Sequence, residues 1–292
     1  MSISGGYSNE TMDLLFERAS CRNFADREIP ADVMYRVLEA GTHAPTAGNL
    51  QPYSIIKIEN DETKRKLAEL AGGQAFVGHA AVDLVFCIDW RRIERWAEFE
   101  IAPFTSTSSF RNFWYSFQDT VICAQTICTA ADSVGLGSVY VGLILESLVE
   151  LRELLELPPR VLPVVLLCLG YPAARPRPAR KLGVDVVVHD EKYSELADTD
   201  LADAFDEKYQ GREREITPER LERITQVCRE VHGEAFTQAC LERIRENGHI
   251  NAAQTYFALI YSANTLPLGN ENFLKIIEQL GFDWFKEYHP PG

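Results

Sequence analysis

Two groups of cationic side chains have the residue types and the spacing to bind a phosphate group. Arg18 and Arg22 lie four residues apart, so at a helix end they can point the same way. A second group follows the Gly170-Tyr171-Pro172 segment and comprises Arg175, Arg177, Arg180 and Lys181. Arginine forks bind phosphate oxygens two at a time, and two such groups on separate segments could close on one phosphoryl group. Charge alone nevertheless favours the alternative of two solvated surface clusters.

The remaining motifs predict neither a nucleophile, nor a metal site, nor a dinucleotide fingerprint. Gly135-Leu136-Gly137 would need a glycine at Tyr140 and a preceding strand to form that fingerprint. The six histidines and seven cysteines show no zinc-ligand spacing. Cys21 stands beside Arg22, but no sequence pattern pairs it with a general base. We therefore predict no catalytic side chain and no metal site.

The composition is that of a folded, acidic protein. The 292 residues include 29 Lys/Arg and 43 Asp/Glu, giving a formal net charge of −14, and 46% of them are hydrophobic. This content excludes wholesale disorder, and the negative charge argues against nucleic-acid binding. No apolar run approaches the ~20 residues of a membrane span, and residues 1–10 lack the features of a signal peptide. The odd number of cysteines favours a reducing compartment, so we expect a cytoplasmic protein without a membrane partner.

Hydrophobic periodicity predicts a mixture of strands and helices before residue 193. The predicted strands and extended segments are Tyr53–Ile58, Ala80–Asp89, Val161–Leu169 and Val184–Val188. The predicted helices are Met12–Ala19, Pro30–Gly41, Asp61 to Gly72, Asp119–Ser133 and Ser147–Glu156. Because these elements do not alternate regularly, the pattern favours an α+β fold over a doubly wound sheet.

Two segments differ from the rest of the chain. Residues 90–117 are crowded with aromatic side chains, and beyond Tyr193 the pattern becomes purely helical, with Thr217-Pro218 as one helix start. We therefore predict a first domain over residues 1–193 and a helical C-terminal extension over residues 194–292. The aromatic segment could form a second hydrophobic core packed on the C-terminal helices, since aromatic side chains often serve packing.

Five segments taken together resemble a known family. They are residues 18–24 (RASCRNF), 45–52 (PTAGNLQP), 72–74 (GGQ), 130–142 (AADSVGLGSVYVG) and 169–172 (LGYP). In this order and at these spacings they resemble the nitroreductase family of FMN-dependent NAD(P)H oxidoreductases. The closest resemblance is to the branch of oxygen-insensitive NADPH nitroreductases and flavin reductases. It covers roughly residues 12–212, and the ordered set is far more specific than any one motif.

The resemblance implies a nitroreductase-like fold, with a mixed, mainly antiparallel sheet flanked by helices. It also implies an intertwined homodimer with one FMN at each end of the interface. The cofactor-binding residues that it implies are Arg18, Ala19, Ser20, Arg22, Thr46, Ala47, Asn49, Gln51, Gln74, Tyr140, Val141, Gly142, Arg180 and Lys181.

The resemblance also implies a role for each group. The segment 18–22 would hold the phosphate and ribityl chain of FMN, and Gln74 would face the flavin. The backbone of residues 140–142 would pass the flavin ring, and the loop 46–51 would come from the partner subunit. Arg180 or Lys181 would complete the phosphate clamp. The aromatic segment 90–117 would correspond to the family's variable region and form a lid over the active site, which leaves two interpretations of that segment open.

The chain departs from the branch in its clamp, in its loop 49–52, in one turn and in its length, and it matches the branch at Arg212. The loop Asn49-Leu50-Gln51-Pro52 is more like the broader family than like this branch. The clamp reads Lys-Pro-Arg in the branch but Ala179-Arg180-Lys181 here, so one cation is displaced by a residue. Leu143 replaces the second glycine of the branch's Tyr-x-Gly-Gly turn. Arg212 lies where a mobile loop of the branch offers an arginine to the 2′-phosphate of NADPH, and the chain then continues well beyond the branch's usual length.

The function implied by the resemblance is FMN-dependent oxidation of NADPH or NADH. Hydride would pass through the flavin to a nitroaromatic, quinone or flavin acceptor by a ping-pong mechanism, so no side-chain nucleophile is required. Two alternatives remain open. One is an FMN-dependent dehydrogenase or dehalogenase of a specific metabolite, and the other is a flavin-binding sensor without turnover.

Overall fold

The computed structural model describes residues 9–289, which form two compact units. The first unit contains residues 9–178 and 274–289, and the second contains residues 179–273. The sequence-based boundary at residue 193 therefore lies inside the second unit, because the chain from Ala179 onward packs with that unit's helices. Residues 1–8, which include most of the segment considered as a signal peptide, lie outside the described residues.

The first unit is built on a four-stranded sheet. Its strands are β1 (Tyr53–Ile58), β2 (Val82–Asp89), β3 (Gly137–Val141) and β4 (Val161–Gly170). Their order across the sheet is β1-β2-β4-β3, and all three pairings are antiparallel. The strands β2 and β4 are buried on both faces, whereas β1 and β3 are the outer strands. The predicted α+β class and mainly antiparallel sheet are confirmed, and β1 has the predicted bounds.

Helices cover both faces of this sheet. They are α1 (Glu10–Glu17), α2 (Ala31–Thr42), α3 (Asp61–Leu70), α4 (Ala75–His79), α5 (Trp90–Phe99), α6 (Phe110–Ser133) and α7 (Leu148–Leu154). Short 3₁₀ turns occupy Ala47–Asn49, Ser106–Ser108 and Leu143–Ser147.

Alternating side chains of β2 point to opposite faces, as the pleat of a strand requires. Leu84 and Phe86 join the core formed with α2 and α6, whereas Val85 and Cys87 join the core formed with α3 and α7.

The helix α6 begins nine residues earlier than predicted, at Phe110 rather than Asp119. Its N-cap is Ser109, whose side chain accepts a hydrogen bond from the backbone N–H of Asn112. The aromatic-rich residues 110–117 therefore form the first two turns of α6.

The second unit is helical. Its elements are α8 (Val184–Val187), α9 (Asp198–Tyr209), α10 (Pro218–His232), α11 (Glu234–Asn247), α12 (Ala252–Gln254), a π-helical turn (Thr255–Ile260) and a 3₁₀ turn (Leu266–Gly269). Thr217 caps α10 through its side chain and Pro218 is the first helical residue, as predicted.

The extended conformation predicted for Val184–Val188 is wrong. These residues form one helical turn, in which the N–H of Val188 donates to the carbonyl oxygen of Val184 at 2.9 Å. The preference of valine for strands depends on packing against a half-buried surface, and Val184, Val187 and Val188 are exposed.

The aromatic segment and the C-terminal tail form a third hydrophobic core in the first unit. The last helix, α13 (Asn270–Gln279), leads to Phe282, whose ring centroid lies 5.0 Å from that of Trp90. Trp284 stacks on Phe113 at 4.5 Å. The packing interpretation therefore applies to this inner part of residues 90–117.

Across residues 9–289, every helix is too short or too polar to cross a membrane.

Candidate active site

The segment after α1 lies along the outer edge of β3. Ser20 and Ser138 form a parallel bridge, and the N–H of Cys21 donates to the carbonyl oxygen of Ser138 at 2.8 Å. The approach is so close that a Cβ on Gly137 would lie 2.6 Å from the Cβ of Cys21. Glycine at this position therefore allows the segment to reach the sheet edge.

Arg18 lies where this segment meets α6. Its Nη2 donates to Ser138 Oγ and to Cys128 Sγ, both at 3.5 Å, and its Nε lies 3.9 Å from Asp132 Oδ2. Within residues 9–289, the buried Nε has no hydrogen-bond partner. Burial raises the pKa of Asp132 to about 6, although the charge of Arg18 acts in the opposite direction. The guanidinium group is thus held by long contacts that leave it able to donate to a stronger acceptor.

Arg22 and the turn before α4 extend this cluster. The Arg22 guanidinium lies 5.8 Å from the ring centroid of Phe76, within the range of a cation–π interaction. Gln74 donates from Nε2 to the carbonyl oxygen of Ala71 at 2.7 Å. Gly72 has a φ of 75°, and a Cβ at this position would lie 2.2 Å from Leu143 Cδ2. The turn therefore packs against the residues after β3.

The residues at the end of β3 differ in exposure. Val141 packs into the core, Gly142 is exposed, and Tyr140 is half-buried with its hydroxyl 3.4 Å from Gln125 Oε1. Burial raises the pKa of the Tyr140 phenol, so this side chain stays protonated near neutral pH. The structure therefore brings together three of the predicted segments at one sheet edge: 18–22, 72–74 and 140–142.

The loop 46–51 lies elsewhere in the first unit. The N–H of Ala47 donates to both carboxylate oxygens of Asp119, at 3.0 and 3.2 Å. Thr46 Oγ1 accepts from the N–H of Gln51 at 3.3 Å, and Asn49 has a φ of 57°. The loop is thus held beside Asp119, whereas Arg18 lies beside Asp132, thirteen residues further along α6.

The remaining predicted residues belong to the second unit. Arg180 donates from Nη1 to the carbonyl oxygen of Glu207 at 3.0 Å and to Gln210 Oε1 at 2.6 Å. The side chains of Lys181 and Arg212 are exposed. The roles that the family resemblance implies for Arg180, Lys181 and Arg212 in binding phosphate groups therefore stay predictions.

Sequence reasoning missed three residues that shape the cluster, Phe76, Asp132 and Ser138, and it also missed Asp119, which holds the loop 46–51. Asp132 and Ser138 lie within the family-like segment 130–142, but for this segment the resemblance implies a role only for the backbone of residues 140–142. One signal was available, because Cys128 and Asp132 are four residues apart on a predicted helix and must share a face.

The chemistry of this cluster fits the phosphate of a flavin mononucleotide. Two guanidinium groups stand at one sheet edge, and the only hydrogen bonds of Arg18 among residues 9–289 are two long ones from Nη2, so its guanidinium retains donors for a stronger acceptor. Charge-assisted hydrogen bonds to phosphate are among the strongest that an arginine can form. Within the same residues, no group of three or more His, Cys, Asp or Glu side chains is arranged to hold a metal ion.

Comparisons with known proteins agree on one family. The family model described as "Nitroreductase family" matches residues 15–171. An oxygen-insensitive NADPH nitroreductase of Salmonella typhimurium is 34% identical over 198 residues, covering 68% of this chain and 80% of the relative. An NADPH-flavin oxidoreductase of Vibrio harveyi is 34% identical over 203 residues, covering 70% and 82%.

Solved structures support the same assignment. The NADPH:FMN oxidoreductase of Vibrio harveyi complexed with NAD⁺ aligns with a TM-score of 0.64 and 30% identity, covering 82% of this chain and 98% of that chain. A nitroreductase of B. subtilis aligns with a TM-score of 0.67 and 25% identity, covering 94% and 99%. The family predicted from residues 18–24, 45–52, 72–74, 130–142 and 169–172 is confirmed. This chain belongs to the nitroreductase family.

Proposed function

We propose that this chain is an FMN-dependent oxidoreductase that takes hydride from NAD(P)H and reduces an electrophilic acceptor. The observation that carries the proposal is the meeting of segments 18–22, 72–74 and 140–142 at the β3 edge. Family membership and the names of the relatives, which include nitroreductase, flavin oxidoreductase and FMN reductase, support it. The acceptor class proposed is a nitroaromatic, a quinone or a free flavin.

The residues at the β3 edge bind and orient the cofactor. Arg18 and Arg22 hold the phosphate, and the backbone from Ala19 to Ser20, fixed on β3, holds the ribityl chain. Gln74 faces the flavin, and the exposed backbone at Gly142 lets the ring approach the chain closely. When bound, FMN would supply the hydride chemistry that links NAD(P)H oxidation to reduction of the acceptor in a ping-pong cycle.

The loop 46–51 acts on the flavin of a second copy in a homodimer. Asp119 holds this loop at one place on α6, and Asp132 lies beside Arg18 thirteen residues further along the helix. At 1.5 Å per residue, these positions are about 20 Å apart along the axis. One chain therefore holds Arg18 and the loop far apart, whereas a symmetric partner can supply the loop.

The family resemblance implies two further roles that belong to this proposal. Arg180 or Lys181 would bind the phosphate, and the exposed side chain of Arg212 would bind the 2′-phosphate of NADPH. The seven cysteines of the chain are all free thiols, which supports a reducing, cytoplasmic compartment.

The decisive experiment is an anaerobic absorbance titration of the purified protein with NADPH and then NADH. A bound flavin is expected to bleach at about 450 nm and to recolour with menadione or a nitroaromatic. A flavin that neither nucleotide bleaches would instead support the dehydrogenase, dehalogenase or sensor alternatives. A colourless protein that cannot be reconstituted with FMN would refute the site.

The same assay tests Arg212. Arg212→Ala is expected to raise the KM for NADPH while leaving the KM for NADH unchanged, because only NADPH carries the 2′-phosphate. Equal KM values for NADPH in the two proteins would remove Arg212 from the site.

A further inference from the structure

Arg18 contacts three side chains of α6 and β3. Cys128 and Asp132 lie one turn apart on α6, and Ser138 faces them from β3. Cys128 and Ser138 are fully buried, with their Sγ and Oγ atoms 3.1 Å apart. This arrangement places a neutral pair against Nη2 of Arg18 and a carboxylate against its Nε.

We propose that Asp132 is a positioning residue, which holds the Arg18 guanidinium in the orientation that binds the phosphate of FMN. The proposal deepens the proposed function and rests on it.

Arg18 needs such a partner because it follows the last residue of α1 and has an extended backbone, with φ −59° and ψ 129°. An arginine side chain has many rotamers, and this freedom must be lost when it binds a ligand in one geometry. A carboxylate that already faces Nε removes much of that freedom before the ligand arrives. Preorganisation of this kind increases affinity without adding a contact to the ligand.

The pair is poorly optimised for stability alone. The side chain of Asp132 is 12% exposed, that of Arg18 is 26% exposed, and their closest N–O distance is 3.9 Å. A desolvated pair contributes to stability only when its geometry and hydrogen bonds are good. Here Nε lacks a hydrogen bond among residues 9–289, and the two contacts of Nη2 are long. The pair is better suited to aiming a cation than to strengthening the fold.

The charge of Asp132 is compatible with a phosphate at Arg18. A guanidinium group has five N–H donors in a planar fork, so its Nε side can face Asp132 while its remaining donors face the ligand. The two anions then lie on opposite sides of one cation, which reduces their mutual repulsion.

The test compares FMN with riboflavin, which has the same ring and chain but no phosphate. Each ligand is titrated into the flavin-free full-length protein, with flavin fluorescence as the readout. Asp132→Asn is expected to raise the Kd of FMN about tenfold and to change the Kd of riboflavin less than about twofold. Asp132→Glu, which retains the charge, is expected to recover most of the affinity for FMN.

Two further proteins make the result specific. Glu94→Gln is the matched control, because Glu94 is also a partly buried carboxylate paired with an arginine, Arg160, but lies on α5. It is expected to leave both Kd values unchanged. In the Arg18→Gln background, Asp132→Asn is expected to have no further effect on FMN, since a positioning residue acts only through its target.

The outcomes separate this proposal from the proposed function. Equal losses for FMN and riboflavin would show a merely structural role for Asp132, and no loss for either would show no role. Additive effects of Asp132→Asn and Arg18→Gln would also overturn the proposal. If Asp132→Asn does not fold, Asp132→Ser provides the same comparison. Wild-type protein that binds riboflavin as tightly as FMN would refute the phosphate site itself, and the role of Asp132 with it.

Discussion

At the scale of single residues, Asp83 shows how burial can change the charge state of a carboxyl group. Asp83 lies on β2 with no exposed surface, directly opposite Cys168 on β4. Its oxygens make no close hydrogen bond within residues 9–289, and a thiol is only a weak donor. Burial raises the pKa of Asp83 to about 7, although Cys168 and the ammonium group of Lys64 favour the charged form. The sheet therefore contains a group that changes charge near neutral pH.

Asp83→Asn is expected to stabilise the protein above pH 7. In wild-type protein the folded state keeps the Asp83 proton up to about pH 7, whereas the unfolded chain loses it near pH 4. The free energy of unfolding therefore falls as the pH rises between these values, and Asn, which cannot ionise, removes this loss. Urea denaturation at pH 5, 6 and 8 measures the difference, which should reach a few kcal/mol at pH 8.

The control for this prediction is Asp26→Asn, at an exposed carboxyl group in the same unit. It should leave the pH dependence of unfolding as it is in the wild type. Parallel profiles for Asp83→Asn and wild-type protein would show that Asp83 is already ionised in the folded state.

The residues that bind FMN in the proposal could be selected from the sequence, but the residues that position them could not. Arg18, Ser20 and Arg22 stand close together in the chain, so they form one continuous motif that the family resemblance can select. Asp132 acts on Arg18 across 114 positions of sequence, and Phe76 lies beside Arg22 only because α4 packs near the β3 edge. Such pairs depend on tertiary structure, for which a single sequence carries no local signal.

At the scale of elements, the aromatic segment 90–117 is divided between two environments. Trp90 and Phe113 pack with the C-terminal tail, whereas Trp96 and Phe99 on α5 remain 54% and 71% exposed. The exposed rings line a cavity of about 680 Å³ together with Arg91 and other side chains of the first unit. Packing thus explains the inner residues, and a role as a lid stays a prediction for the outer ones.

Two phenylalanine substitutions test this division. Phe282→Ala is expected to lower the free energy of unfolding by about 3–5 kcal/mol, because Phe282 is fully buried against Trp90. Phe99→Ala, at an exposed ring, is expected to change it by about 0.5 kcal/mol or less. Both are measured by urea denaturation, with the KM for a nitroaromatic acceptor as a second readout. A stability loss of similar size in both variants would contradict the division.

Element predictions succeeded where local chemistry determines the structure. The strand Tyr53–Ile58 and the start of α10 at Thr217-Pro218 follow from β-branched content and from capping. The segment Val184–Val188 has the same β-branched content as a strand, yet it remains exposed and forms a helical turn. The predicted start of α6 at Asp119 is nine residues too late, because the aromatic residues of 110–117 obscure the hydrophobic periodicity on which the prediction depends.

At the scale of the whole molecule, the sheet order separates two parts of the proposed flavin site. The loop 46–51 leads into β1, and the segment 18–22 lies along β3, at the opposite edge of the sheet. Three strand spacings, about 14 Å, lie between these edges. If both parts contact one flavin, the simplest source of the loop is a second copy of the chain, as the family resemblance also implies.

Mixed dimers test this division of labour between subunits. One chain carries Arg22→Gln and the other carries Thr46→Ala with Asn49→Ala, and separate affinity tags allow the heterodimer to be isolated. Each mutant homodimer is expected to lose most of its FMN, because every site lacks either the arginine or the native loop. The measured quantity is the ratio of FMN to dimer after gel filtration.

If the loop acts on the partner's flavin, the heterodimer contains one fully native site and one doubly altered site. It should therefore hold about one FMN per dimer, against about two for wild type. If the loop acts within its own chain, both sites remain defective and the heterodimer should hold almost none. A heterodimer of a wild-type chain and a chain with all three substitutions distinguishes the models again. If the loop acts in trans, each of the two sites in this heterodimer has one defect. If the loop acts in cis, the site of the wild-type chain remains native.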